Sequence, residues 1–335
     1  MLTSVSCAPC VRWRAPRPHC VLLFVTHPCE GPHTCSGICA KMVHVTYPTR
    51  SSEHPAPRTQ PSPGRRTAPR LIATDLDGTL LRNDKTVSDR TIAALAAAEA
   101  AGIEVFFVTG RPARWMDIVS EHVHGHGLAI CANGAAVVDL HAGGRVIRVR
   151  ELARRDAVNV VQALRAAAPG VSFAVERTAG IHYEPAYPSF PQDPGASYAP
   201  VDELLADHGD GHLADPIVKL LAHHPTGDPD AFLTLGCTAA GAHAEFTRSS
   251  PSALLEISGR GVSKASTLAL ACQERGIAPH EVAAFGDMPN DLAMLTWAGR
   301  SYAMANAHPD VLLSTDHVTG SNEDDGVAAV IESFL

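Results

Sequence analysis

The sequence predicts an α/β protein built on a doubly wound, mostly parallel sheet, with an α+β insert breaking the rhythm in mid-chain. Three observations carry this. Short apolar runs alternate with helix-period segments over residues 69–150 and again over 253–335, the pattern of βα units feeding a parallel sheet. Residues 151–252 lose that alternation. Several apolar runs end abruptly in polar residues, as strands do where their carboxyl ends open on a ligand crevice.

Residues 1–68 stand apart, mixing Cys, His, Arg and Pro with no sustained period, and the expectation is a disordered leader or a true start further along, for example at Met42. A secretory signal fits poorly, because the apolar stretch at 21–25 is short and follows several arginines and prolines. Cys7-x-x-Cys10 with Cys35 and Cys39 could hold zinc, but no companion pair completes a standard spacing, so an unstructured leader is the simpler reading.

From Arg70 the text changes. Residues 71–74 read as a buried strand delivering Asp75-Leu76-Asp77-Gly78-Thr79, where Gly78 lets the chain turn away. Ser88 is the N-cap of an Ala-rich helix that closes at Gly102. The apolar strand 103–108 ends in Thr109-Gly110-Arg111-Pro112, and a helix is expected over 113–121. A strand at 128–131 runs into Asn133-Gly134, followed by a hairpin through 137–149 turning at Gly143-Gly144. The insert offers a helix at 152–167, strand-like pieces at 171–176, 217–222 and 243–247, and a Pro- and Tyr-containing loop at 183–200. Strand 254–257 is expected to reopen the parallel sheet. Ser263 then caps a helix closing near Gly276, and the buried strand 282–285 delivers Gly286-Asp287-Met288-Pro289-Asn290-Asp291. Segments 301–304 and 317–318 and a helix from Asp325 complete a Rossmann-like sheet.

At 335 residues, 45% apolar and 19% charged, the chain has room for more than one domain. Its net charge of −8 hides an asymmetry: residues 1–70 hold nine Lys and Arg against two acids, and the remainder holds 18 against 33, or −15. An acidic body argues against wrapping nucleic acid and implies that an anionic substrate is met by a few placed cations. The longest apolar runs fall far short of the roughly 20 residues that span a bilayer, so no membrane partner is expected. The body keeps only Cys131, Cys237 and Cys272 of nine cysteines, which suits a reduced, cytoplasmic protein. Oligomeric state is not legible.

In an extended segment alternate residues share a face, so Asp75 and Asp77 project toward one site while Leu76 points into protein. Such close carboxylates repel unless a cation lies between them or one holds a proton. All strand carboxyl ends of a parallel sheet face one crevice, so Thr109, Lys264, Asp287, Asn290 and Asp291 converge on the pair, the last three from more than two hundred positions away. Three carboxylates suit a hard cation such as Mg²⁺, while Thr and Lys suit phosphate oxygens. The bland readings are a solvated turn for Asp75 and Asp77, a helix cap for Thr109, a surface lysine for Lys264, and helix N-terminal acids for Asp287 and Asp291. Arg111 is divided between a substrate contact and a surface ion pair. His122, His124 and His126 suit a solvated loop better than a metal site, and His182, Tyr183 and Tyr187 suit packing at least as well as a substrate pocket.

The order Asp-x-Asp-Gly-Thr, Thr-Gly-Arg, Lys, Gly-Asp-x-x-Asn-Asp resembles the haloacid dehalogenase (HAD) superfamily, and within it the Cof-type phosphatases with a C2-type cap inserted between the second and third motifs. The resemblance covers residues 70–335 and implies a HAD core at 69–150 and 253–335 with a cap at 151–252. It further implies that Asp75 is the nucleophile forming an aspartyl-phosphate, and that Asp77 protonates the leaving oxygen and later activates water. Asp75 would then stay ionised while Asp77 carries a proton as the substrate arrives. Thr109, Gly110, Lys264 and Asn290 would bind phosphate. Mg²⁺ would be held by Asp75, the backbone carbonyl of Asp77 and Asp287, with Asn290 and Asp291 in support; Asn133 and Asn306 are weaker candidates beside the crevice. The implied activity is Mg²⁺-dependent hydrolysis of a small phosphorylated metabolite, for instance a sugar phosphate. A phosphomutase and a non-catalytic binding protein are the alternatives.

Overall fold

The computed structural model describes residues 68–120, 127–188, 195–206, 215–250 and 252–335. The leader with its cysteines and the histidines at 122, 124 and 126 lie outside the described residues.

β1 (Leu71–Thr74) is buried throughout, as an apolar run flanked by strands on both sides requires. Ser88 caps α1 (Asp89–Ala100) by accepting the Thr91 amide, while Ala94, Leu95 and Ala98 pack inward. β2 (Glu104–Val108) lies parallel to β1. Where one helix was expected over 113–121, a 3-10 turn, Ala113–Trp115, precedes the short α2 (Asp117–Ser120). The Met116 amide turns back three residues to Ala113, closing the first turn tightly. β3 (Leu128–Cys131) is parallel to β2, and β4 (Ala136–Asp139) and β5 (Arg145–Val149) form the expected hairpin.

The insert contains α3 (Arg154–Ala167), β6 (Ser172–Arg177), β7 (Ile181–Tyr183), β8 (Ser197–Tyr198), α4 (Val201–Leu204), β9 (Ile217–His223), α5 (Pro229–Ala240), β10 (Glu245–Thr247) and β11 (Leu254–Ser258). The chain then returns through α6 (Lys264–Glu274), β12 (Val282–Gly286), α7 (Leu292–Trp297), β13 (Arg300–Ala303), α8 (Pro309–Ser314), β14 (His317–Val318) and α9 (Gly326–Glu332).

The first sheet runs β14-β13-β12-β1-β2-β3-β4-β5, parallel from β14 to β3. The chain winds outward from β1 in one direction and from β12 in the other, so the strand order reverses between these two neighbours. That reversal opens a crevice at their carboxyl ends, where α/β sheets bind ligands.

The second sheet runs β10-β11-β9-β6-β7-β8 and is antiparallel except for β7 with β8. Phe173, Val175, Leu220, Ala222, Leu255 and Ile257 form its apolar face, clustered with Val160, Val161 and Leu164 of α3 and Phe232 of α5. The strand 254–258, expected to reopen the parallel sheet, therefore belongs to the insert, paired antiparallel with β9 and β10. Its sequence Leu-Leu-Glu-Ile-Ser alternates, with Leu255 and Ile257 toward the helices and Glu256 on the opposite face, the signature of a sheet covered on one side. Entry to and exit from the insert meet: a Cβ on Gly259 would lie 2.4 Å from the carbonyl oxygen of Glu151. Among the described residues no helix is long and apolar enough to cross a membrane.

Candidate active site

Asp75 leaves the end of β1 and is anchored there by its amide, which donates to the Phe285 carbonyl of β12 at 3.1 Å. Asp287 follows β12 directly, so adjacent strand ends deliver both carboxylates. Gly78 turns the chain between them at φ +77°, and a Cβ there would sit 2.3 Å from Asp287 Oδ2. Only glycine combines that conformation with that approach. Thr79 then donates its hydroxyl to Asp287 Oδ1 at 2.9 Å.

Carboxylate oxygens of Asp75, Asp287 and Asp291 lie within 4.8 Å of one another, all buried. Lys264, at the start of α6 and only 2% exposed, reaches into this group and donates to Asp75 Oδ1 at 2.5 Å and to Asp291 Oδ1 at 2.7 Å. The second oxygen of Asp291 accepts the amides of Asp287 and Met288, which fixes the loop after β12. Burial pushes the Asp75 carboxyl well above its ordinary value; Lys264 opposes the shift, while Asp291 and Asp287 add to it. Burial and then Asp291 push Asp287 up to about 7. Burial works against the Lys264 ammonium, yet Asp291 and Asp75 hold its pKa above the ordinary lysine value. Three buried carboxylates share one ammonium, an arrangement that favours further positive charge.

Asp77 differs from the expectation. Arg111 grips it bidentately, Nε to Oδ2 at 2.6 Å and a terminal nitrogen to Oδ1 at 2.7 Å, and Lys85 adds a third bond at 2.8 Å. Burial would raise its pKa, but these partners outweigh it and hold Asp77 at about 2. The carboxyl expected to arrive protonated is ionised in this arrangement, because two cations, one of them assigned no role from the sequence, converge on it.

Thr109 follows β2, buried, with its Oγ1 accepting the Arg111 amide at 3.0 Å. Its hydroxyl proton is therefore directed elsewhere. Gly110 lies so close to Asn133 and Glu256 that a Cβ would stand 3.3 Å from an oxygen of each. Asn290 donates to Asn133 Oδ1 at 3.2 Å, and its own Oδ1 is buried with no hydrogen-bond partner. An amide oxygen without a partner is an acceptor, suited to a donor or a cation. Asn306 donates to the Gly78 carbonyl and accepts the Asn322 amide, bracing the turn after Asp77.

Sequence reasoning did not single out Lys85, Lys219 and Glu256. The last two lie within apolar strands at 5% exposure each, and a charge inside such a run was the available signal. Tyr183 and Tyr187 stack at 5.5 Å in a small apolar cluster with Ala174 and Ile181, and His182 pairs with Ser197 at the surface.

Asp75, Lys264, Asp287 and Asp291 thus meet in one buried group, and Arg111 pairs with Asp77. A model of the haloacid dehalogenase-like hydrolases matches residues 72–331. The chain belongs to this family. Within it, the chain is a HAD hydrolase of the Cof-type phosphatase group. The 5-amino-6-(5-phospho-D-ribitylamino)uracil phosphatase YcsE of Bacillus subtilis is 28% identical over 275 residues, covering 79% of this chain and 96% of its own. The pyridoxal phosphate phosphatase YbhA of Escherichia coli is 28% identical over 303 residues, covering 79% of this chain and 98% of its own. The solved structure of a HAD-like hydrolase from B. subtilis superposes with a TM-score of 0.66 at 27% identity, covering 79% of this HAD chain and 100% of that one.

Proposed function

We propose that this chain is a Mg²⁺-dependent phosphatase that hydrolyses a small phosphomonoester through phospho-Asp75, with the insert acting as a cap over the crevice. The observation that carries the reading is the buried group of Asp75, Asp287 and Asp291 around Lys264 at the point where the strand order reverses. The donor set fits the metal: hard carboxylate oxygens of three buried residues within 4.8 Å of one another. Asp75 and Asp287 would hold Mg²⁺ with the Asp77 backbone carbonyl, and Asp291 would steady the loop. The ion offsets the repulsion between an attacking carboxylate and a phosphate dianion.

In the first step an Asp75 oxygen bonds to phosphorus and the bond to the leaving oxygen breaks. Lys264, fixed on Asp75, and the Thr109 hydroxyl steady the charge on the transferring group. The leaving oxygen takes a proton from Asp77. Asp77, ionised at rest, must first be released by Lys85 and by Arg111, to whose guanidinium a phosphate dianion offers an equivalent bidentate partner, and must take up one proton from solvent. In the second step Asp77 accepts a proton from water, which attacks phosphorus, frees phosphate and restores Asp75. The relatives named above act on a phosphoribityl compound and on pyridoxal phosphate; for this chain a panel beginning with sugar phosphates is the direct approach.

The test is release of inorganic phosphate by purified protein. Asp75→Asn removes turnover, EDTA removes it, and Mg²⁺ restores it after EDTA alone. Turnover unchanged in Asp75→Asn sinks the mechanism, and full activity in chelator sinks the metal assignment. Conversion of a substrate to its isomer without free phosphate identifies a mutase instead.

A further inference from the structure

Two charged residues of the insert touch the phosphate-binding side of the crevice, and the reaction above gives them no part. Lys219 of β9 donates to the Gly110 carbonyl at 2.6 Å and to Glu256 Oε2 at 2.5 Å. Glu256 of β11 also accepts from Asn133 Nδ2 at 2.7 Å and from the Ser249 hydroxyl. Both are 95% buried at the boundary between the two sheets, and burial of such charges is costly unless every bond is made.

The position of these bonds is informative. The peptide joining Gly110 to Arg111 is held at both ends: its carbonyl accepts from Lys219, and its N–H donates to Thr109 Oγ1 at 3.0 Å. Fixing that amide fills an acceptor site on the Thr109 oxygen, so the hydroxyl proton points away as a donor. The same peptide leads directly to Arg111. On the other side Glu256 holds Asn133, which sits in the left-handed region at φ 54° and accepts from Asn290 in the loop after β12. One ion pair from the insert thus orders a donor for the phosphoryl group and, through one asparagine, the loop carrying Asp287 and Asp291.

We propose that Lys219 and Glu256 are positioning residues for phosphoryl binding, through which the insert sets the Thr109-Gly110-Arg111 loop whichever leaving group is bound. This rests on the phosphatase reading. It assigns the pair to the part of the substrate that never varies, in contrast to a specificity role, which would touch the leaving group. Misplacing a positioned group costs on the order of 10²-fold in rate.

The experiment compares wild type, Lys219→Met, Lys219→Arg and Glu256→Gln, each checked for folding by circular dichroism. The readouts are kcat and KM with p-nitrophenyl phosphate and with a hexose 6-phosphate, and inorganic phosphate binding by calorimetry. Lys219→Met and Glu256→Gln are expected to lower kcat/KM by about 10- to 100-fold by the same factor on both substrates, and to weaken phosphate binding. Lys219→Arg restores part of both. Wild-type phosphate binding and turnover in folded variants overturn the proposal, and so does a loss confined to one leaving group. If Lys219→Met does not fold, Glu256→Gln and Lys219→Arg decide by the same comparison. A wild type that binds phosphate but hydrolyses no ester of the panel refutes the phosphatase reading alone, because the calorimetric comparison still tests the pair. A wild type that neither binds phosphate nor turns over refutes both.

Discussion

Replacing Lys264 by Met tests the heart of the site. The Lys264 side chain is 1% exposed, and its ammonium lies 2.5 and 2.7 Å from Asp75 and Asp291, with Asp287 in the same group. Methionine keeps the volume and removes the charge. Breaking a buried ion pair from one side costs about 3–5 kcal/mol, because the remaining charges lose their compensation. At about 2–4 °C per kcal/mol for a protein of this size, the melting temperature should fall by roughly 6–20 °C in metal-free buffer. Saturating Mg²⁺ should recover more stability in Lys264→Met than in wild type, since an added cation takes over the lost compensation. Turnover should stay low in Mg²⁺, by about 10²- to 10³-fold, the loss typical for one preorganised donor at a developing charge. Calorimetric unfolding with and without Mg²⁺, alongside phosphate release, measures all three. A variant that melts with wild type in metal-free buffer, or turns over within twofold of it, would refute the placement of Lys264 between the carboxylates.

Gly78→Ala puts a Cβ 2.3 Å from Asp287 Oδ2 at φ +77°, and the left-handed strain alone costs about 1 kcal/mol; phosphate release should drop at least about tenfold, and an unchanged kcat would show that Asp287 has room to move. Glu256 titrates below its ordinary 4.5, because burial is outweighed by the charge and hydrogen bond of Lys219 and by bonds from Ser249 and Asn133. A lowered carboxylate pKa stabilises the fold fully above the unfolded value and less as pH falls toward the folded one. The melting-temperature gap between wild type and Glu256→Gln should therefore narrow below about pH 4.5, and a widening gap would contradict the pairing. Burial pushes Cys131 up to about 12 and Cys272 up to about 11, whereas Cys237 is exposed. Iodoacetamide at pH 8 followed by peptide mapping should label Cys237 before either of the others; early labelling of Cys131 would place it at the surface.

The strands of the first sheet and the caps at Ser88 and Ser263 were legible because each rests on local chemistry: an apolar run, a side-chain acceptor, a glycine past the end. Asp75, Asp287 and Asp291 were legible because parallel strands bring all their carboxyl ends to one edge, whatever their separation in sequence. Lys264 was legible only through the order of motifs, since it opens α6 after a strand of the insert. What escaped depends on pairing between distant segments. Helix α5 carried a visible signal in Asp228 followed by Pro229, yet the expectation for the insert passed over it. The placement of β11 turned on Glu256, whose position in an apolar run marks alternation rather than continuous burial. The ionised state of Asp77 depends on Arg111 and Lys85 arriving from 34 and 8 residues away, and no local rule gives that convergence.

The contact of Gly259 with Glu151 means that the insert departs from the first sheet and comes home at a single doorway. A module tethered in this way is a pendant: its length, sequence and internal wiring can change without retying any strand of the sheet that carries the reacting groups. Recognition and chemistry can accordingly follow separate histories within one polypeptide. A chimera in which a relative's insert replaces residues 152–258 should fold and exchange substrate preference, provided the donor supplies its own equivalents of Lys219 and Glu256. Arg248, which meets His308, and Glu176, which pairs with Arg114, are further points where the visiting module must fit its host.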